Sequence, residues 1–140
     1  MTHWRRRFTL LAALALLVPA GALAARTPPT VTYRGRTGGR AAVTVKVRAG
    51  RVTSFKASVT AACGTTNLPI TVAYPPAGRR GASVAIRRGA FRVTYKSDPA
   101  LDPEDDRRTI AGRFARGRVT GTISVAGLCG AEDTFSARRP

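Results

Sequence analysis

IAGRFARGRVTGTISV, residues 110–125, reads as two strands folded back on each other at Arg116-Gly117. With a two-residue turn there, Phe114 faces Val119, Gly112 faces Gly121 and Ile110 faces Ile123. Like meets like at every step. Arg or Thr fills most of the positions between, so the hairpin has one face to bury and one to wet. Glycine supplies the positive φ that such a turn needs at little steric cost.

The same phrase, apolar-x-x-Gly-x-apolar, occurs as VRAGRV (Val47–Val52) and IRRGAF (Ile86–Phe91). In the second, the two-residue rule pairs Ile86 with Phe91 and Val84 with Val93. In the first it pairs Val47 with Val52 but then sets Val43 against Lys56. That mismatch predicts a bulge near Thr53, or a three-residue loop ending in Gly50. Period-two alternation continues in AVTVKVR (Ala42–Arg48), SFKASVTAAC (Ser54–Cys63) and AFRVTYK (Ala90–Lys96). No helical period is sustained after residue 25.

The expectation is an all-β fold: a single antiparallel β-sandwich or flattened barrel of eight to nine short strands over residues 26–140. The strands expected are 30–36, 40–48, 51–62, 69–74, 83–88, 90–97, 107–115, 118–126 and 133–138. The inward positions mix Phe and Val with Ala57, Ala61, Gly112, Gly121 and Ala137, which suits a tightly packed core. A barrel with an open mouth, holding a small apolar ligand, is the alternative.

Residues 1–25 read as a signal peptide. Arg5, Arg6 and Arg7 precede an apolar run from Phe8 to Val18, Pro19 and Gly21 break it, and Ala22 and Ala24 fit the small-residue cleavage positions. Cleavage after Ala24 or Ala25 leaves one domain without a transmembrane segment, secreted or held at the cell envelope. It also removes His3, the chain's single histidine. The remainder carries 21 basic residues (24 less Arg5, Arg6 and Arg7) against 7 acidic ones. Cys63 and Cys129, an even and widely spaced pair in an exported protein, read as a disulfide.

YRGRTGG near the start, IAGRFARGRVTGTISV in the last third, a middle and a late cysteine, and the ending TFSARR resemble the small exported β-proteins of high-GC actinobacteria. The likeness covers most of residues 30–139. It implies export, a β fold and the Cys63–Cys129 pair. No activity comes with it, so no functional residue is carried over.

Without histidine, neither a Ser-His-Asp nor a Cys-His device can be assembled, and a histidine-ligated zinc site is excluded. No phosphate-cradling glycine loop is present either. Lys96 and Ser97, a Ser-Lys pair on paper, are adjacent and point to opposite faces of a strand. Five carboxylates cluster in DPALDPEDD: Asp98, Asp102, Glu104, Asp105 and Asp106. Crowded hard oxygens suit Ca²⁺, while Asp and Pro next to Arg107 and Arg108 equally suit a solvated turn. These residues, with Glu132 and Asp133, are also the candidates for a two-carboxylate hydrolase, but a loop this charged disfavours the desolvated acid such chemistry needs.

The sequence therefore points to a non-catalytic protein without a cofactor. Its handle is positive charge. Arg48, Arg87, Arg88, Arg92, Arg113, Arg116 and Arg118 sit at outward strand positions or beside turns, and arginine's planar fork suits phosphate. The partners expected are anionic cell-wall polymers or lipid headgroups. The competing explanation is a coding bias towards Arg, supported by a single Asn (Asn67) and no Gln. Specific nucleic-acid binding is not expected, because only Tyr33 and Tyr74 are placed outside as stacking platforms.

Overall fold

The computed structural model of the chain describes residues 26–98, 100–101 and 106–140. The leader read from residues 1–25, and Asp102, Glu104 and Asp105 of the acidic stretch, lie outside the described residues. Within them the protein is all-β. Nine antiparallel strands follow in order: β1 (Thr30–Thr37), β2 (Ala42–Arg48), β3 (Arg51–Cys63), β4 (Thr66–Tyr74), β5 (Val84–Ala85), β6 (Ala90–Tyr95), β7 (Asp106–Ala115), β8 (Arg118–Gly127) and β9 (Ala131–Arg138). They form one continuous sheet of spatial order β4-β3-β2-β1-β9-β8-β7-β6, with β5 beside β3. Of the two architectures expected, this is the barrel-like one: a single sheet curled into a half-barrel.

The hairpin of residues 110–125 forms as its sequence predicts, with Phe114 opposite Val119, Gly112 opposite Gly121 and Ile110 opposite Ile123. All three glycine turns have positive φ at both central residues: Ala49-Gly50 (50° and 69°), Arg88-Gly89 (50° and 74°) and Arg116-Gly117 (48° and 72°). That is the type I′ turn, whose twist matches the strands it joins. Between β2 and β3 the register shifts at Lys46/Val47, where Lys46 pairs with Ser54 but Val47 with Val52. Thr53 is the extra residue, and the bulge brings Val43 opposite Ala57 rather than Lys56.

Three expectations need correction. Val84 does not pair with Val93: it pairs with Val52, and Ala85 with Arg51. Arg51 holds β5 there, its Nε donating to Ser83 Oγ at 2.7 Å and its Nη2 to Ser83 O at 2.9 Å. Only the bridge Arg87–Ala90 survives of the expected β5–β6 hairpin. Strand β4 starts at Thr66 rather than residue 69, because Pro69 sits on a sheet edge where a missing N–H costs no ladder bond. Finally, Tyr33 and Tyr74 are not on the outside. Tyr74 is in phase with buried Val72, and Tyr33 pairs with fully buried Val45 and packs edge-on against Phe114, centroids 5.3 Å apart.

The concave face is the core. Phe55 of β3 meets Phe135 of β9 edge-to-face at 5.1 Å, and Ile110, Ile123, Val43, Val45, Val52, Val72 and Val119 are fully buried around them. Phe135 lies over two glycines. A Cβ at Gly121 would stand 2.7 Å from its ring and 2.0 Å from the Ala111 carbonyl oxygen, and one at Gly112 would meet Phe91 at 2.6 Å. The missing side chains let the sheet bend sharply here and let the ring sit directly on the backbone.

Two devices hold the curl. Strand β3 is separated from β9 by β2 and β1 in the sheet, yet its end reaches across to the β8–β9 connection. There Cys63 and Cys129 form the expected disulfide, Cα atoms 4.4 Å apart, next to a reciprocal pair of backbone hydrogen bonds between Ala62 and Gly130 (2.8 and 2.9 Å). Along the seam where edge strand β4 approaches β6 and β7, side chains replace backbone pairing. Arg108 Nη1 donates to the Thr71 carbonyl, and the Tyr74 and Tyr95 rings meet at 5.6 Å.

The disulfide joins residues 66 apart in sequence, so replacing both cysteines by Ala is expected to lower the unfolding free energy by about 4 kcal/mol. Urea denaturation of the oxidised and substituted proteins measures this. Equal midpoints would mean that the curl is fixed without the cross-link.

Candidate anion-binding rim

Antiparallel alternation sends the three type I′ turns to the same end of the half-barrel, and the curl gathers them. They are joined there by backbone hydrogen bonds. Ile86 N donates to Gly50 O (2.9 Å), Phe114 N to Gly89 O (2.7 Å) and Arg139 N to Gly117 O (3.0 Å). Each turn is dressed with arginine. Arg48 and Arg51 flank the first, Arg87 and Arg88 enter the second, and Arg116 and Arg118 straddle the third. Arg138 and Arg139 at the end of β9 complete the rim, and Arg116, Arg118, Arg138 and Arg139 line a shallow hollow of about 480 Å³.

The described carboxylates stand at the other end. Asp98 and Asp106 flank the β6–β7 connection, and Glu132 and Asp133 begin β9. Among the described residues a single ion pair forms, Arg108–Asp106 at 3.2 Å. The rim arginines are thus left without carboxylate partners.

Above the rim the outer face carries a row set by register. Arg34 of β1 is directly opposite Arg138 of β9, which is directly opposite Arg118 of β8. Like charges facing each other across a sheet are destabilising, so this row is a net cost to the fold unless something anionic lies on it. Two of the type I′ turns add a second cost. Arg88 and Arg116 occupy first central positions with φ near 50°, where Asn, Asp or Gly is preferred.

Of the seven arginines singled out from the sequence, Arg48, Arg87, Arg88, Arg116 and Arg118 belong to the rim. Arg113, exposed on β7, stands directly opposite Ala90 beside the second turn, and Arg92, exposed on β6, lies two residues further along that strand. Arg34, Arg138 and Arg139 also read as outward from the sequence, without being singled out for binding. Their place depends on β1 pairing with β9, first strand against last, and no local pattern encodes that register.

Asp98 and Asp106, the described members of the acidic stretch, do different work. Asp106 is buried, and its Oδ2 accepts from Ser97 N (2.6 Å), Ser97 Oγ (2.7 Å) and Asp98 N (2.8 Å), while Oδ1 takes Arg108 Nε. Burial pushes its carboxyl up, but the hydrogen bonds from Asp98 N and Ser97, with Arg108 beside it, prevail and hold it below the ordinary 3.8. Asp106 therefore orders the start of β7 and aims Arg108 at the seam. Asp98 Oδ1 accepts from Ala100 N, a local turn contact. Among the described residues no group of carboxylates, histidines or cysteines is placed to share a metal ion. At the head of β9, Asp133 accepts from Gly39 N at 3.2 Å and Thr134 N at 2.7 Å, tying down the β1–β2 turn. Tyr95 keeps a buried hydroxyl without a hydrogen-bond partner among the described residues, and burial raises its pKa far above that of an ordinary phenol.

Compared with protein-family models, with curated proteins and with solved structures, the chain matches none.

A carboxyl held below its ordinary pKa stabilises the fold at pH values above 3.8, and that stability is lost as pH falls through the lowered folded-state value. Asp106→Asn is expected to cost about 2 kcal/mol at pH 7 and to flatten the decline in stability below pH ~4. Thermal melts from pH 2 to 7 measure both. An unchanged acid-side slope would show that Asp106 does not carry it.

Proposed function

We propose that this is an exported, non-catalytic binding module whose arginine rim holds a phosphate-bearing polymer of the cell envelope. The observation that carries the reading is the row Arg34–Arg138–Arg118, three guanidiniums in consecutive register with no carboxylate paired to them among the described residues. A fold that sets like charges face to face, and puts Arg88 and Arg116 into left-handed turn positions at the same end, gathers several destabilising choices there, although Arg40 takes the same conformation in the β1–β2 turn at the opposite end. Such concentration is characteristic of functional surfaces. Guanidinium stays protonated under all ordinary conditions and offers no acid–base chemistry, so the rim suits holding an anion rather than transforming one. Neighbouring strands lie about 4.8 Å apart, so the row presents forked donors at short, regular intervals, as a repeating phosphodiester requires. Export is supported by the leader-like pattern in residues 1–25 and by the Cys63–Cys129 disulfide.

The turns separate binding from stability. Arg88→Asn and Arg116→Asn place a preferred residue in each type I′ turn. Each is expected to raise stability by about 0.5 kcal/mol while weakening affinity for long-chain polyphosphate several-fold at low salt. Arg34→Ala with Arg138→Ala is expected to weaken it further, and wild-type binding should fall steeply between low and moderate salt. Melting curves and fluorescence anisotropy with labelled polyphosphate read these effects. Vesicles of anionic phospholipid, run in parallel, identify the source of phosphate: retention on vesicles with no binding of the soluble polymer would replace the polymer by a membrane surface. Affinity unaffected by all four substitutions would overturn the rim itself.

A further inference from the structure

A second site, chemically unlike the rim, lies on the outer face of β6–β9. It is a groove of about 770 Å³ whose floor is made by two neighbouring register rows. One row runs Thr94–Thr109–Ser124–Glu132 across the four strands, the other Arg92–Ala111–Thr122–Thr134. Five hydroxyls thus stand side by side. Thr94 and Thr109 bond each other at 3.0 Å, whereas Thr122, Ser124 and Thr134 donate to no protein group among the described residues. Arg92 and Arg107, both exposed, flank the groove on the β6–β7 side; on the β9 side stand exposed Glu132, and Asp133, whose carboxylate is taken up by Gly39 N and Thr134 N. No ion pair joins the two sides: Arg92 and Glu132 stand in different rows, on strands three spacings or about 14 Å apart.

From this arrangement we infer that the groove binds an acidic saccharide, a chain of sugar rings bearing carboxylates. The floor strands β7 and β8 are paired on both sides, so their backbone groups are spent on the sheet, and the open edge is that of β6, at the margin. What the surface offers is hydroxyls, each both donor and acceptor, and a polyol is the ligand whose groups match them one for one. The arginines at one margin give the site its sign: a guanidinium fork takes a carboxylate with two parallel hydrogen bonds. Glu132 at the far margin accepts from a sugar hydroxyl and turns away a second acid group. No aromatic ring lines the groove, so recognition rests on hydrogen bonds and charge, and affinity in the millimolar to high-micromolar range is expected.

The test uses trigalacturonic acid and neutral maltotriose as probes in ligand-observed NMR titrations of the intact protein. The acidic trimer should bind at least tenfold more tightly than the neutral one. Thr122→Val with Ser124→Ala, which keeps volume and charge, should weaken it tenfold or more, and Arg92→Ala with Arg107→Ala should abolish the preference for acid. The rim variant Arg34→Ala with Arg138→Ala should bind the trimer like the wild type, so failure of the rim reading and failure of this one are told apart. Three results would overturn the inference: no binding of the acidic trimer, equal binding after loss of the two hydroxyls, or loss of binding in the rim variant alone.

Discussion

Everything else in this molecule depends on one contact, the Phe135 ring seated on the backbone of Gly112 and Gly121 and meeting Phe55 from across the concave face. A single antiparallel sheet of this size, left flat, would expose an apolar face along its whole length. Bending it over Phe135 lets one half of that face bury the other, so the sheet supplies both walls of its own core. The bend needs positions without side chains, and the chain provides them at Gly112 and Gly121, where any Cβ would strike a ring or a carbonyl oxygen.

The curl also creates the surface chemistry. In a flat sheet, turns at one end form a line; in a curled one they form a rim, and here the turns touch through backbone hydrogen bonds. The carboxylates are sorted along the strands: the described ones all stand at the end away from the type I′ turns, beside Arg36, Arg40, Arg107 and Arg108, and none stands at the rim. The segregation lets one carboxylate act structurally. Asp106 is buried among Ser97, Asp98 and Arg108 and directs that arginine to the free carbonyl of edge strand β4, closing a seam the backbone leaves open. Of the rim arginines, Arg51 is tied to Ser83; the others have no such structural partner among the described residues, which is why they read as a binding surface and Arg108 does not.

Much of the fold was legible because its information is local. The β7–β8 hairpin is written into residues 110–125, since type I′ geometry and period-two alternation fix each other's register. The bulge at Thr53 announced itself as a conflict between two local rules, and the structure resolves it with one extra residue. The failures lie where partners are distant. Residues 84–85 carry the same signal as any hairpin arm, but Arg51, more than thirty positions earlier, captures Ser83 and draws the strand to β3. Tyr33 and Tyr74 look like surface aromatics until the curl folds an opposite wall over them. The rim was half visible: the turn arginines follow from the repeated phrase, whereas the row from Arg34 to Arg118 exists only because the first strand lies against the last.

The most direct test of the account is residue-resolved NMR of the protein as polyphosphate is added at low salt. Amides at Ala49–Arg51, Arg87–Gly89, Arg116–Arg118 and Arg138–Arg139 should shift together and saturate, while those of Ser97, Asp106 and Asp133 stay in place. Small, unsaturable shifts spread over both ends, or none at any concentration, would contradict it: the arginines would then be no more than scattered charge.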